Sequence, residues 1–284
     1  MAIVGALGVT VAGQAVAAPL PTVDRSARPA SARAMWVWDT SDPQAVVSLA
    51  TARGIGQLYA AVPAHVDSSP ELAELQRLVA LADVARVRVD ALGGDPGWVD
   101  DPARVVTSWL QPALATGLFT GVHVDIEPYT TPAWTKNRRA VITRYLATLD
   151  RLHAATAGAP IEADIPFWFD EVPANGSTLD REVMRRTEAV AVMAYRNHAD
   201  GPDGTIAVAS AGVAAGAQLG RPVRIGQETN DLGVEPTEVK QTFHGMTLAQ
   251  MDSQLSLVRD AFSGSPAFAG LAIHDSRGYA AITG

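Results

Sequence analysis

Residues 121–129 read "GVHVDIEPY". Val122, Val124 and Ile126 alternate with His123, Asp125 and Glu127, the period of two that sends successive strand side chains to opposite faces. One face is aliphatic. The other carries an imidazole and two carboxylates, and Pro128 follows directly. In a barrel strand the aliphatic face meets the surrounding helices and the polar face meets the packed interior. Buried carboxylates cost several kcal/mol unless paired or hydrogen-bonded. Two on one inward row mark either a site or an ion-pair network with arginine.

Seven further short apolar runs flank this one: "AMWVW" (34–38), "IGQLYAAV" (55–62), "VRVDALGG" (87–94), "IEADIPFW" (161–168), "AVAVMAY" (189–195), "PVRIGQE" (222–228) and "FAGLAIH" (268–274). Helix punctuation lies between them. Ser69-Pro70, Asp101-Pro102 and Thr131-Pro132 each set a capping residue before a proline. Thr247 with Gln250 fits a capping box. Leu72, Leu75, Leu78, Val79 and Ala82 recur at helical spacing, and Gly54 and Gly158 stand where helices should stop. Eight βα units in one run predict a single-domain (β/α)8 TIM barrel over residues 34–284. A doubly wound open sheet is the competitor, but "WVWDTSDP" after the first strand has no glycine-rich phosphate turn.

Residues 1–19 are apolar and rich in small residues, and "AVAAP" offers a cleavage-site pattern, although no Lys or Arg precedes the run. They read as a signal-peptide-like segment, residues 20–33 as a Pro/Ser/Arg-rich linker, and the remainder as an exported domain without a membrane span. With no cysteine, disulfides, thiolate nucleophiles and Cys-ligated metals are excluded. The net charge of -8 argues against a nucleic-acid partner, which would need a basic surface.

Barrel enzymes place their chemistry at the C-terminal strand ends. Those ends here are rich in polar and aromatic groups: Trp36, Trp38 and Asp39; Glu162, Asp164 and Trp168; Tyr195, Arg196, Asn197 and His198; Gln227 and Glu228; His274 and Asp275. Carboxylates ringed by aromatics suit a saccharide, whose C–H faces stack on rings while its hydroxyls need acceptors. Trp36, Trp38, Asp164, Trp168, Tyr195, Arg196 and His274 are the candidate substrate contacts. Trp36 and Trp38 have an alternative reading as plugs of the barrel mouth, and a lone histidine is often a satisfied core residue.

"VDIEP" on the fourth strand and "VMAY" on the sixth resemble the chitinase-type family-18 glycoside hydrolases. The resemblance implies Glu127 as proton donor, Asp125 as its partner, and Tyr195 as a contact to an N-acetyl group. The chain departs from that pattern at Gly121 or His123, where the family's first aspartate belongs, and at Arg196, where the family has Asp. Glu127-Pro128 and Glu228 are also similar to retaining barrel glycosidases that carry a Glu on strands 4 and 7, with Ile126 where those have Asn. The expected activity is hydrolysis of a glycosidic bond. Glu127 is the general acid, and Glu228 or Asp125 is the second carboxylate. Glu228 has a second reading, pairing with Arg224 or Arg196. The chain is expected to act as a monomer on an oligo- or polysaccharide, with no cofactor and no metal.

Three rivals stand beside this reading. A lectin-like barrel would bind sugar without cleaving it, but Glu127 is retained. A metal-dependent hydrolase could draw ligands from His123, Asp125, Glu127, His198 and His274, but no His-x-His or His-Glu-x-x-His cluster occurs. A structural envelope protein would not need the inward carboxylate row. Finally, residues 229–246 are long for a βα loop, which suggests either a lid carrying Phe243 and His244 or a flexible surface excursion.

Overall fold

The computed structural model describes residues 33–284. The signal-like segment and nearly all of the linker lie outside the described residues. Eight parallel strands close into a barrel: β1 (Arg33–Val37), β2 (Ile55–Ala61), β3 (Arg88–Gly93), β4 (Val122–Val124), β5 (Ile161–Pro166), β6 (Ala189–Met193), β7 (Val223–Glu228) and β8 (Phe268–His274). Each strand pairs with the next in the chain, and β1 pairs with both β2 and β8. All eight predicted runs are barrel strands. One antiparallel hairpin, Pro173–Ala174 with Ser177–Thr178, lies outside the barrel.

The outer shell follows the helix signals closely. Asp101 caps its helix by accepting from the Arg104 amide at 3.1 Å, and Thr247 and Gln250 form the reciprocal capping box. The Leu75, Leu78, Val79 and Ala82 stripe is buried against the sheet. Ser69-Pro70 departs from expectation: the helix begins at Leu72, because the Ser69 hydroxyl bonds the Glu71 carboxylate instead of a helical amide. Thr131 does start the helix Pro132–Ala155, but its hydroxyl bonds the Pro128 carbonyl at 2.8 Å and not a helical N–H.

The β4 alternation resolves as predicted. Val122, Val124 and Ile126 are buried in the layer between strands and helices, while His123 lies inside the barrel with no exposed surface. Regular pairing stops at Val124, yet the Asp125 amide still donates to the Gly93 carbonyl at 3.0 Å. The neighbouring Gly94 makes this possible, since a Cβ there would lie 1.9 Å from the Asp125 carbonyl oxygen. A separate small cluster fills the middle of the barrel: Ala34, Trp36, Tyr59, Leu92, Ala191 and Ala272.

Candidate active site

Parallel register sets the site. His123 is level with Glu162 on β5, and Glu228 on β7 is level with His274 on β8. Paired residues on neighbouring parallel strands share a face, so their side chains meet inside the barrel. Above the central cluster, the C-terminal mouth gathers Asp125, Glu127, Asp164, Tyr195, Glu228, His274 and Trp38.

Asp164 is 2% exposed. Its Oδ2 accepts from Trp36 Nε1 at 2.9 Å and lies 2.9 Å from His123 Nε2. The His123 ring stacks on Tyr59, with centroids 3.6 Å apart. Burial lowers the His123 pKa to about 4, against the pull of Glu162 and Asp90, so the imidazole is neutral near pH 7. Asp164 Oδ1 and Asp125 Oδ1 are both sealed from solvent and have no hydrogen-bond partner among the described residues. Burial first, and then the charges of Asp164 and Glu127, hold the Asp125 carboxyl well above the usual range. Burial likewise raises Asp164, while the Trp36 hydrogen bond opposes it. Like charges crowded in a poorly hydrated space favour keeping a proton among them.

Glu127 lies nearer the mouth, half-buried, with its Oε1 accepting from the Tyr129 hydroxyl. Tyr195 faces the same carboxylates: burial, then Asp164 and Glu228, raise its phenol well above the ordinary value. Its ring sits 6.1 Å from that of His274. His274 Nδ1 lies 2.8 Å from Glu228 Oε2, and its Nε2 accepts from Trp38 Nε1 at 3.0 Å. That acceptor role puts the imidazole proton on Nδ1, directed at Glu228. Burial alone would lower the His274 pKa, but the Glu228 hydrogen bond and charge outweigh it and leave it raised.

Several expectations change here. Glu228 pairs with neither Arg224 nor Arg196. It is 4% exposed, and its Oε1 accepts from the Thr229 and Asn230 amides at 2.7 Å and from Asn230 Nδ2 at 2.9 Å. With His274 on Oε2, both oxygens are occupied. Arg196 turns away from the site: its Nη2 bonds Asp203 Oδ1 at 2.7 Å and its guanidinium lies over Phe167. Trp36 is 1% exposed and fills the barrel, offering no face to a ligand, whereas Trp38 is 38% exposed at the rim. Trp168 is half-buried, packed edge-on against Tyr129 at 5.1 Å. Phe243 belongs to the core at 1% exposure, where its amide bonds the Glu228 carbonyl at 2.9 Å, so it is no part of a lid. Among the described residues, no group of three or more His, Cys, Asp or Glu has metal-binding geometry, and no helix is long and apolar enough to cross a membrane.

Tyr59 and Tyr129 were missed. Tyr59 had a signal, because it alternates with Gln57 in "IGQLY" and so shares the inward face. Tyr129 follows Glu127-Pro128 directly, but no periodicity extends past a proline.

No family model matches the chain, and no curated protein matches it in sequence. Solved structures do match in fold. A double-mutant GH18 chitinase from Cycas revoluta in complex with (GlcNAc)4 is similar at a TM-score of 0.59 and 14% identity, covering 87% of this chain and 96% of that one. The spore cortex-lytic enzyme SleL of Bacillus megaterium QM B1551 has a TM-score of 0.57 and 11% identity, covering 90% and 74%. A GH113 β-1,4-mannanase has a TM-score of 0.58 and 11% identity, covering 87% and 88%. At such identities the likeness establishes the fold, a (β/α)8 barrel of the kind found in glycoside hydrolases.

Proposed function

We propose that this protein hydrolyses a glycosidic bond in an oligo- or polysaccharide, with Glu127 as general acid and Asp125 as the second carboxylate. The observation that carries the reading is the crowding of Asp125, Asp164 and Glu127 at the barrel mouth, where two carboxyls keep a sealed oxygen with no partner among the described residues. Folded proteins rarely leave buried acceptors unsatisfied. These two oxygens are closed to an entering ligand; what a sugar at the mouth would meet is the half-buried Glu127 and Asp125 side chains beside them. Glu127 is half-buried and stands past the C-terminal end of β4, where proton delivery to a leaving oxygen at the mouth can take place.

Glu228 is better suited to holding His274 than to attacking an anomeric carbon, because both of its oxygens are engaged. Asp125 and Tyr195 would orient the sugar beside Glu127. The complex of one fold neighbour with (GlcNAc)4 makes an N-acetylated hexosamine glycan the first substrate to try. The signal-like residues 1–19 fit an exported enzyme, which would meet such glycans outside the cytoplasm.

The test is hydrolysis of chitin oligosaccharides, peptidoglycan and mannan, read by reducing ends, with Glu127→Gln as control. Turnover is expected on at least one glycan. The variant is expected to bind that glycan without cleaving it. Full turnover by Glu127→Gln would refute the assignment.

A further inference from the structure

Pro128 opens a one-turn 3-10 helix, Pro128–Thr130, directly after Glu127. The turn folds Tyr129 back over the end of β4 and sets its hydroxyl against Glu127 Oε1. The ring is clasped by three aromatic side chains: Trp168 at 5.1 Å, Phe169 at 6.0 Å and Trp134 at 6.4 Å between centroids. Trp168 and Phe169 come from the turn after β5, and Trp134 from the helix Pro132–Ala155. Edge-to-face contacts of this kind fix a ring's orientation as well as burying its area. The phenol oxygen therefore has one direction in which to act. Burial first, then the charge of Glu127, raise the phenol well above its ordinary value, so it keeps its proton and remains the donor.

We propose that Tyr129 is a positioning residue for the acid step: it fixes the Glu127 rotamer and stabilises the carboxylate left behind once Glu127 has given up its proton. The proposal rests on the reading of Glu127 as general acid. In that step the Oε2–H bond breaks and an O–H bond forms on the glycosidic oxygen. The electron pair of the breaking C–O bond moves onto that oxygen. Tyr129 transfers nothing, but its hydrogen bond to Oε1 changes from neutral to charge-assisted. Charge-assisted hydrogen bonds are roughly twice as strong as neutral ones. The contact therefore strengthens as the proton leaves, and an interaction that grows toward the transition state accelerates the step. The aromatic clasp also makes the loop after β5 part of the acid's support, although it donates nothing to the substrate.

The experiment is a carboxyl NMR titration of the full chain labelled with 13C at glutamate Cδ. The Glu127 resonance is the one missing from Glu127→Gln. Tyr129→Phe retains the ring in its seat and removes only the donor, and its Glu127 resonance is expected to titrate about one pH unit higher than in the parent. Tyr129→Leu, which lacks the ring as well, is expected to shift it the same way. A midpoint within about 0.2 pH units of the parent in both variants would overturn the proposal. A shifted midpoint in a protein whose Glu127→Gln form still cleaves glycan would preserve the hydrogen bond and sink the Glu127 assignment, so the two failures are distinct.

Discussion

At the N-terminal mouth of the barrel the buried charges are satisfied by one another. Arg224 Nη2 donates to Gln57 Oε1 at 2.8 Å and its Nη1 to the Ala269 carbonyl at 3.0 Å, while Gln57 Nε2 reaches Asp90. Arg224 Nε lies 3.8 Å from Glu162 Oε1, which also accepts from the Tyr59 hydroxyl at 2.9 Å. At the C-terminal mouth, Asp125 and Asp164 each keep a sealed oxygen with no partner among the described residues. Cavities lie at both ends of the barrel, the upper one beside the acid row and not lined by Asp125, Glu127 or Asp164. A cavity of about 220 Å³ at the lower end is lined by Gln57, Arg88, Asp90, Glu162 and Arg224. One of about 480 Å³ on the upper rim is lined by Trp38, Asp39, Glu71, Glu74, Asp275 and Arg277. A concave surface alone therefore does not separate them. A closed network of paired charges holds strands in register, whereas crowded carboxyls lacking partners cost stability and mark a functional rather than a structural end of the barrel.

That contrast can be broken by mutation. The largest effect is expected from Glu127→Gln at the upper mouth: turnover lower by roughly 10³-fold, with an unfolding midpoint in urea like the parent's. At the lower mouth, Arg224→Met leaves Glu162 with a buried charge and one partner fewer. It should lower stability by about 3 kcal/mol in urea unfolding, while the folded fraction keeps its turnover. If Arg224→Met instead removed activity from fully folded protein, the division of labour between the mouths would be wrong.

Asp125→Asn should separate the two costs within one residue. It removes a carboxyl whose charged form is disfavoured by burial and by its neighbours, so thermal unfolding should show it stabilised by about 1 kcal/mol although its turnover is lost. The smallest effect is a pH slope. The folded-state pKa of His123 lies near 4, below its ordinary 6.5, so between these values the unfolded chain binds the extra proton. Its contribution to stability is complete above about pH 6.5 and is lost as pH falls through about 4. Asp125 and Asp164, with raised values, act in the opposite direction. Urea unfolding of the parent and of His123→Gln across that window should show the acid-side loss diminished in the variant. Parallel slopes would mean that His123 is not held neutral.

The strands were legible because an alternating or apolar run bounded by capping residues and prolines is a local pattern, and the barrel requires eight of them. The inward row of His123, Asp125 and Glu127 followed from period two alone. Partnerships were not legible. Nothing in "IGQE" says that Glu228 meets His274 instead of Arg224, because that depends on the register between β7 and β8. Nothing in "AYRN" says that Arg196 turns to Asp203. Trp36 and Trp38 are two residues apart on one face, yet one lies in the barrel's middle layer and the other on its rim.

The sequence by itself determined the (β/α)8 architecture and which strand carries the acids, since both depend on the spacing of residues along a single chain. Only the tertiary structure decided which oxygens are occupied and which are left open, because hydrogen-bond satisfaction depends on register and depth between segments up to 246 residues apart, as in the Arg33–Tyr279 contact.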